Sequence, residues 1–361
     1  MFRTPCQSAL RGFLFCLLLA AMPGLSSAQS LVLDLPLQSP KAEVSQRIGI
    51  TDITIHYHRP LVNDRKVWGS TGLVPYGQVW RAGANFNTTI TFSDPVQIEG
   101  KPLDKGTYGL HMIPNAEEWT IIFSKNSTSW GSFSYDEKED ALRVTVKPKA
   151  ADMHNALTYD FDQILPDSAV VELEWEKIAV PFKVSVDVHD IVRASLKEQL
   201  RDLSGFNWQS WDDAANYLLT EKIDLDGALA DANKSIESED RYDNETTKAK
   251  VLTALNRKDE AEAAQKKALD FATPLQIHLY ARQLQAEKRS DEAFVIYREN
   301  AKKHPDLWFV HTGLARIYSS EGKFDEAAKE MKLSVAVAPE IQKSYLDGLE
   351  KRLEAKQDIN Q

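Results

Sequence analysis

Residues with binding chemistry are concentrated between Tyr57 and Asn85, among glycines and prolines. Arginine presents a planar guanidinium suited to carboxylate, phosphate or sugar hydroxyls, and asparagine can both donate and accept hydrogen bonds. Tryptophan and tyrosine rings can stack on a sugar ring or another organic ligand. The predicted ligand-binding residues are Arg59, Arg65, Trp68, Tyr76, Trp80, Arg81 and Asn85. Together they would form a polar pocket with aromatic walls.

The same arginines also suit a structural role, in which they pair with acidic residues and hold a long loop in place. The acidic candidates are Asp52, Asp64, Asp94 and Asp140. A connection of this length is usually functional or disordered, and its two tryptophans argue against disorder. A mixed arrangement is a third interpretation, with Arg81 and Asn85 buried while Arg59 and Arg65 face a cleft.

Three histidines form a second candidate site. His56 and His58 are two residues apart in a predicted strand, so both side chains lie on one face. This spacing is common among metal ligands, and His111 would supply a third ligand if its strand lies nearby. No acidic residue stands at a spacing that completes a familiar metal signature. The alternative is a solvent-facing strand surface that happens to carry histidines.

No catalytic residue and no cofactor are predicted. The sequence has no Gly-x-Ser-x-Gly elbow and no phosphate-binding loop of the Walker or dinucleotide type. Glu172, Glu174 and Glu176 share one face of a predicted strand, where paired carboxylates could serve glycoside hydrolysis. They follow plain alternation, however, and a solvated strand face is the favoured interpretation.

Apolar and polar residues alternate in short runs from about Ser39 to Asp187, with turn-forming residues between the runs. Examples are the runs at 53–58, 108–112 and 171–176. Such alternation places one strand face on a core and the other in water, as in antiparallel sheets. No helical stripe separates the runs, which argues against a parallel α/β sheet. The sequence therefore predicts a mostly antiparallel β-sandwich over residues 38–187.

The periodicity becomes helical after Asp187, and an internal repeat follows. Three pairs of residues are each 34 positions apart: Ala281 and Ala315, Ala293 and Ala327, and Pro305 and Pro339. This is the length of a tetratricopeptide repeat, in which two antiparallel helices approach closely over small residues. Two looser units come earlier, marked by Ala215, Ala228, Ala249, Ala261 and Ala268. The prediction is an all-α tetratricopeptide-like helical repeat array over 190–357, whose concave face would hold a protein partner.

The first 28 residues have the layout of a secretory signal peptide. Arg3 and Arg11 precede a ten-residue apolar run at 13–22, and small residues follow at 26–28. The run is too short for a membrane span, which needs about 20 apolar residues. We therefore predict export to the periplasm or the extracellular space. Both cysteines, Cys6 and Cys16, lie in this segment, so no disulfide framework is expected in the mature chain.

The acidic balance of the chain narrows the choice of partners. The formal net charge is −10, and it becomes −12 when the predicted signal peptide is removed. This charge speaks against nucleic acid or an anionic membrane surface as the main partner. No later run is apolar and long enough to predict a transmembrane segment.

Residues 38–186 resemble a secreted bacterial family called domain of unknown function 2911. The matching motifs are Tyr57 with Arg59-Pro60, Arg65 before Trp68-Gly69, Val-Pro-Tyr-Gly at 74–77, the block from Trp80 to Asn85, and Trp130-Gly131. The family often carries helical repeats behind this domain and has no assigned activity. His58 departs from the pattern, because the family typically has a small residue there. The resemblance thus implies the boundaries of the β domain and favours a site between Tyr57 and Asn85, but it implies no reaction.

Three hypotheses about function follow. The leading one is an exported, non-enzymatic binding protein, with a small polar ligand or glycan in the β domain and a protein partner on the helical repeats. The second is a periplasmic hydrolase or other metal-dependent enzyme that uses the histidines or the arginine cluster. The third is a structural scaffold in which the arginine cluster only holds the loop.

Overall fold

The computed structural model describes residues 35–360. The predicted signal peptide, with both cysteines, lies outside the described residues. Within them, a domain of antiparallel sheets precedes an array of helices. This arrangement confirms the predicted fold class, a β-sandwich followed by tetratricopeptide-like repeats.

Ten strands form two antiparallel sheets in the described residues. They are β1 (Lys41–Ile48), β2 (Thr51–His58), β3 (Thr89–Phe92), β4 (Val96–Ile98), β5 (Lys101–Leu103), β6 (Gly106–Ile113), β7 (Trp119–Ser124), β8 (Asp140–Val146), β9 (Lys149–Asp162) and β10 (Ser168–Ser185). One sheet has the order β1-β2-β3-β6-β7-β8, and the other has the order β5-β4-β10-β9. Adjacent strands are paired antiparallel throughout.

The alternating residues of both sheets form one shared core. Ile53 and Ile55 of β2 are fully buried, as are Val171 and Leu173 of β10 in the opposite sheet. Each such side chain contributes about 1.5–3 kcal/mol by leaving water. The intervening side chains face outward, so the outer face of the six-stranded sheet is free to carry polar groups.

Strand β10 is a single strand of 18 residues with a local irregularity near its middle. Its register with β9 shifts on both sides of Glu176, which has a φ of 57°. Glu174 lies with its carboxylate 3.4 Å from His154 of β9. The glutamates of this face thus belong to a strand surface, in accord with the favoured interpretation of their alternation.

Ten α-helices follow in the described residues. They are α1 (Val188–Gln199), α2 (Trp208–Glu221), α3 (Leu225–Ser238), α4 (Tyr242–Ala254), α5 (Lys258–Asp270), α6 (Pro274–Ala286), α7 (Ser290–Lys303), α8 (Trp308–Ser320), α9 (Phe324–Val337) and α10 (Glu340–Glu354). The helices from α2 to α9 form four hairpin-like pairs, and α10 packs on α9. The two looser units of the sequence are therefore helix pairs of the same kind.

Alanines lie where the two helices of each pair approach. Those on the first helices are Ala215, Ala249, Ala281 and Ala315, and those on the second helices are Ala228, Ala261, Ala293 and Ala327. All eight are buried. A methyl side chain allows the close approach that a larger side chain would prevent, which explains why alanine carries the repeat signal.

Helix α1 joins the cores of the two domains. Val188 and Ile191 pack against the core of the sandwich, whereas Leu196 packs against the first helices of the array. Asp187 accepts a hydrogen bond from the backbone N–H of Asp190 at 3.0 Å and so caps the start of the helix. Among the helices of residues 35–360, none combines the length and apolar character that a bilayer span requires.

Replacing Gly313 of α8 with alanine tests the close packing of α7 on α8. A Cβ there would lie 2.7 Å from Cδ1 of the buried Tyr297. Overpacking of this kind costs about 1–3 kcal/mol, which outweighs a gain of about 1 kcal/mol in helix propensity. We expect Gly313→Ala to lower the free energy of unfolding by about 1 kcal/mol in urea denaturation.

The matched control is Gly348→Ala in α10, where an added Cβ meets no atom within 4 Å. This substitution should raise the free energy of unfolding by about 0.5–1 kcal/mol. Equal effects of the two substitutions would contradict the packing of α7 on α8.

Candidate functional site

The long connection between β2 and β3 closes one end of the sandwich with two tryptophans. The ring of Trp68 lies 5.0 Å from that of Trp119 in β7 and 5.5 Å from that of Trp175 in β10. Trp80 stacks on Trp175 at 5.9 Å, with 18° between the ring planes. Since β7 and β10 belong to opposite sheets, the connection is attached to both of them. Trp68 and Trp80, predicted as walls of a ligand pocket, therefore contribute to the core.

Arg59 and Arg65 hold the connection in place through neutral oxygens. Arg59 donates to the carbonyl of Leu157 at 2.9 Å and to the hydroxyl of Thr158 at 2.6 Å, both in β9. Arg65 donates to the carbonyl of Val62 at 3.0 Å, within its own loop. Tyr76, also in the predicted set, is exposed on the same connection. Both arginines thus bind backbone carbonyls or a hydroxyl, and within residues 35–360 neither pairs with the aspartates that the structural interpretation named.

Arg81 and Asn85 form a tight turn at the end of the connection. Arg81 donates to the backbone carbonyl of Asn85, whose φ of 57° lies in the left-handed region. The amide of Asn85 donates to the carbonyl of Ser39 at 3.0 Å. Burial lowers the pKa of Arg81. Within residues 35–360, this guanidinium forms no ion pair with a carboxylate.

Two exposed aromatic rings cover the guanidinium of Arg81. Trp130 and Phe133 stack on each other at 5.4 Å, and Cζ of Arg81 lies 5.4 Å from each ring centroid. Such cation–π contacts contribute about 0.5–2 kcal/mol, depending on solvent access. Gly131, with a φ of 70°, leaves the space, since a Cβ there would lie 2.4 Å from Cζ of Arg81. The Trp130-Gly131 motif was the available sequence signal for this contact.

A polar network lies beside Arg81 on the outer face of the six-stranded sheet. His111 Nδ1 is 2.9 Å from the hydroxyl of Ser132, and its ring packs on Tyr135. Tyr135 donates to Asp140 at 2.8 Å, and Arg143 also donates to that carboxylate. The pKa of His111 is lowered to about 4, mainly by burial. The charge of Asp140 acts to raise this pKa, and the charge of Arg81 lowers it further. His111 is therefore neutral near pH 7.

The three candidate metal ligands are not brought together. His56 lies 3.2 Å from the carboxylate of Glu43, and the ring of His58 packs against Phe86. His111 is on β6, with β3 between it and β2. In the part of the chain that the structure describes, no group of three or more histidine, cysteine, aspartate or glutamate side chains is placed to hold a metal ion.

His58 instead faces a cavity of about 650 Å³. The lining residues are Leu35, Pro36, Leu37, Pro40, Lys41, His56, Tyr57, His58, Phe86 and Asn87. Nδ1 of His58 and Oδ1 of Asn87 are buried atoms without a hydrogen-bond partner. Burial, together with the charge of Lys41, lowers the pKa of His58, so the imidazole is neutral near pH 7. Lys41, Phe86 and Asn87 were not among the predicted site residues. The one sequence signal for this cavity was His58, which departs from the family pattern.

The helical array contains a second open space, between its second and third helix pairs. Consecutive pairs pack closely through α3 and α4 and through α7 and α8, but α5 and α6 barely touch. A cleft of about 670 Å³ lies there. Its apolar lining includes Ala249, Ala261, Leu269, Tyr280, Leu284 and Ile296. Its polar lining includes Lys250, Lys258, Lys266, Gln265, Glu287 and Glu292.

Comparisons with known proteins agree with both halves of the fold. Residues 39–184 match the model of a protein family of unknown function (DUF2911), and residues 310–341 match a tetratricopeptide repeat. The resemblance predicted from the sequence is thereby confirmed. This combination indicates a protein-interaction module with no assigned activity.

Two similar solved structures are YrrB, described as a TPR protein with an unusual peptide-binding site, and MamA. YrrB is 15% identical, with a TM-score of 0.29, over 46% of this chain and 86% of its own. MamA is 14% identical, with a TM-score of 0.30, over 45% of this chain and 98% of its own. No curated protein matches the sequence.

The buried His111 predicts a loss of stability in mild acid. Its ordinary pKa is 6.5 and its folded pKa is about 4, so between these values only the unfolded state binds the proton. The free energy of unfolding should therefore fall as the pH drops from 6.5 towards 4, by up to about 3 kcal/mol. Urea denaturation across this range should show a shallower pH dependence in His111→Gln than in the unaltered chain.

His278 in the helical array also has a lowered pKa, about 3, because it is buried. Part of the pH dependence of the free energy of unfolding will therefore remain in the His111→Gln variant. His189→Gln, at an exposed histidine, is the control. An unchanged slope in His111→Gln would show that His111 titrates normally in the folded protein.

Proposed function

We propose that this chain, in which a domain of the DUF2911 family precedes tetratricopeptide repeats, is an exported binding protein that holds a segment of a partner protein. The observation that carries the proposal is the cleft between α5 and α6. In a regular array, neighbouring repeats bury this space against each other. The signal-peptide layout of the first 28 residues supports export to the periplasm or the extracellular space.

The chemistry of the cleft suits an extended polypeptide. The wall formed by α4 and α5 has an excess of positive charge, with Lys250, Lys258 and Lys266 against Glu262. On the opposite wall, Arg289 pairs with both Glu287 and Glu292. A segment with acidic side chains on the side that faces α4 and α5 would complement the lysines. Nε2 of Gln265 is a buried donor without a partner, and the carbonyl groups of an extended backbone could accept from it.

A photo-crosslinking amino acid at position 265 tests the cleft. We expect it to capture one partner segment from periplasmic or secreted material, and the same amino acid at exposed Lys303 of α7 to capture none. A synthetic peptide of the captured segment should bind the unaltered chain. Reversing Lys250 and Lys266 to glutamate should weaken that binding about tenfold, or about 1.4 kcal/mol, in calorimetric titration.

The matched control is the Lys303→Glu, Lys351→Glu variant, in which the same charge change is made at exposed positions outside the cleft. Equal binding by the Lys250→Glu, Lys266→Glu variant and the unaltered chain would contradict the cleft as the binding site.

The cavity beside His58 favours a second binding function, for a small polar ligand or glycan in the β domain. His58 Nδ1 and Asn87 Oδ1 are unpartnered, and burying such groups without a hydrogen bond costs about 1–3 kcal/mol each. Phe86 offers a ring face, and Lys41 supplies positive charge. These groups fit a molecule with a hydrogen-bond donor for Asn87, an apolar face and an anionic or hydroxyl group. This cavity, rather than the arginines predicted from the sequence, is the proposed site.

A thermal-shift screen of sugars, organic acids and phosphates tests this second function. A ligand present at one hundred times its Kd should add about 2.7 kcal/mol to the free energy of unfolding. It should therefore raise the melting temperature. His58→Phe keeps the ring packing but removes the nitrogen, and we expect it to abolish the shift. Tyr76→Ala, at a predicted residue outside the cavity, should leave it unchanged. If no compound in the screen stabilises the unaltered chain, this function loses its support.

A further inference from the structure

An apolar cavity lies where α1 meets the first helix pair of the array. Its volume is about 640 Å³, within the range of about 300–1,000 Å³ that is usual for small-molecule sites. Leu196 and Leu200 of α1 and Trp211 and Leu218 of α2 form its apolar walls, and α3 closes the remaining side. The cavity shares no lining residue with the cleft between α5 and α6 or with the cavity beside His58, so it is a separate site.

Two carboxylates at the start of α3 line this cavity. Asp224, Gly227 and Asp231 are three and four residues apart, so they lie on one face of the helix. Asp224 accepts a hydrogen bond from the backbone N–H of Gly227 at 2.9 Å and caps α3. A Cβ at Gly227 would lie 2.6 Å from Oδ2 of Asp224, so glycine leaves room for the capping carboxylate. The carboxylate of Asp231, one turn further along, takes no part in the cap.

Asp231 has no counter-charge in the part of the chain that the structure describes. Within residues 35–360, its carboxylate forms neither an ion pair nor a hydrogen bond. Two cations of the cavity lining are engaged elsewhere, since Arg193 pairs with Asp190 and Arg201 pairs with Glu198 at 2.9 Å. The cavity therefore combines apolar walls with one unpaired negative charge.

This unpaired carboxylate makes the empty cavity less stable. The pKa of Asp231 is raised to about 6, mainly by burial and further by the charge of Asp224. Stability therefore decreases as the pH rises towards this pKa, and the carboxylate is ionised near pH 7. Lys197 also lines the cavity, but it is exposed and does not pair with Asp231. A charge that is retained at a cost in stability is typical of a binding site rather than of a structural contact.

We propose that this cavity binds a small organic ammonium ion whose apolar part packs between α1 and α2. The ammonium group donates to the carboxylate of Asp231, a charge-assisted hydrogen bond that a neutral ligand cannot form. The apolar part leaves water against Leu196, Leu200 and Leu218, and the ring of Trp211 also attracts cations. The apolar walls favour an organic cation over a hydrated metal ion, which requires several oxygen ligands.

Titration of the chain with hexylammonium near neutral pH tests the proposal by nuclear magnetic resonance. The indole N–H signal of Trp211 is the reporter, because Nε1 of this ring donates to the carbonyl of Gly205 at 2.9 Å beside the cavity. We expect hexylammonium to shift this signal to saturation. The neutral analogue 1-hexanol has the same apolar chain, and we expect it to bind at least about tenfold more weakly.

A substitution that keeps the shape of the side chain tests the role of the charge. Asp231→Asn should remove the preference for hexylammonium over 1-hexanol and leave the affinity for 1-hexanol unchanged. It should also raise the melting temperature of the unliganded chain, because it removes the unpaired charge. The control is Asp226→Asn, at an exposed acidic residue of the same helix, which should retain the preference.

Hexanoate tests the sign of the charge that the cavity selects, since this anion would pair with Lys197 instead. We expect hexanoate to bind no more tightly than 1-hexanol. Tighter binding of hexanoate than of hexylammonium would overturn the proposal, as would equal affinities of the unaltered chain for hexylammonium and 1-hexanol. The same conclusion would follow if Asp231→Asn kept the full preference for hexylammonium, because the selectivity would then arise outside this cavity.

Discussion

The β domain depends on the contact of four tryptophan rings between its two sheets. Trp119 and Trp175 come from opposite sheets, and Trp68 and Trp80 come from the connection that closes the space between them. Three of the ring pairs formed by Trp68 are edge-to-face, an arrangement that aromatic quadrupoles favour. Arg59, which donates to β9, and Asn85, which donates to Ser39, hold the connection at two further points. Two of the side chains predicted to bind a ligand, Trp68 and Trp80, therefore belong to the packing between the sheets.

The sequence supports the elements of the fold better than their contacts. The alternation of apolar and polar residues predicted the strands because one face of each sheet is buried. The spacing of the alanines predicted the helix pairs because only a small side chain fits where two helices cross. The partners of Arg59 carry no comparable signal, since they include a backbone carbonyl of β9 that is far away in the chain. Likewise, Lys41 and Asn87 belong to the candidate site only through the fold. Local periodicity encodes burial, whereas long-range polar pairing depends on topology.

Buried polar atoms without a hydrogen-bond partner occur both at the candidate sites and in the tryptophan cluster. In that cluster Nε1 of Trp68, Trp119 and Trp175 has no partner, whereas Nε of Arg59 and of Arg65 each donates to a backbone carbonyl. Beside His58 and in the cleft at Gln265, buried donors or acceptors also lack partners. Native proteins leave few polar groups in this state, and an external ligand is one physical reason for them. Both candidate sites border an open space, whereas Trp68, Trp119 and Trp175 belong to the buried core.

The sparse contact between α5 and α6 has a consequence for the mechanics of the whole chain. Solenoid stability is approximately a sum of repeat terms and nearest-neighbour interface terms, so one weak interface divides the array into two cooperative blocks. The first block shares helix α1 with the sandwich through Val188, Ile191 and Leu196. The second is completed by α10 and the C-terminal segment. The connection at 271–273 crosses this weak interface, so each block is stabilised mainly by contacts within itself.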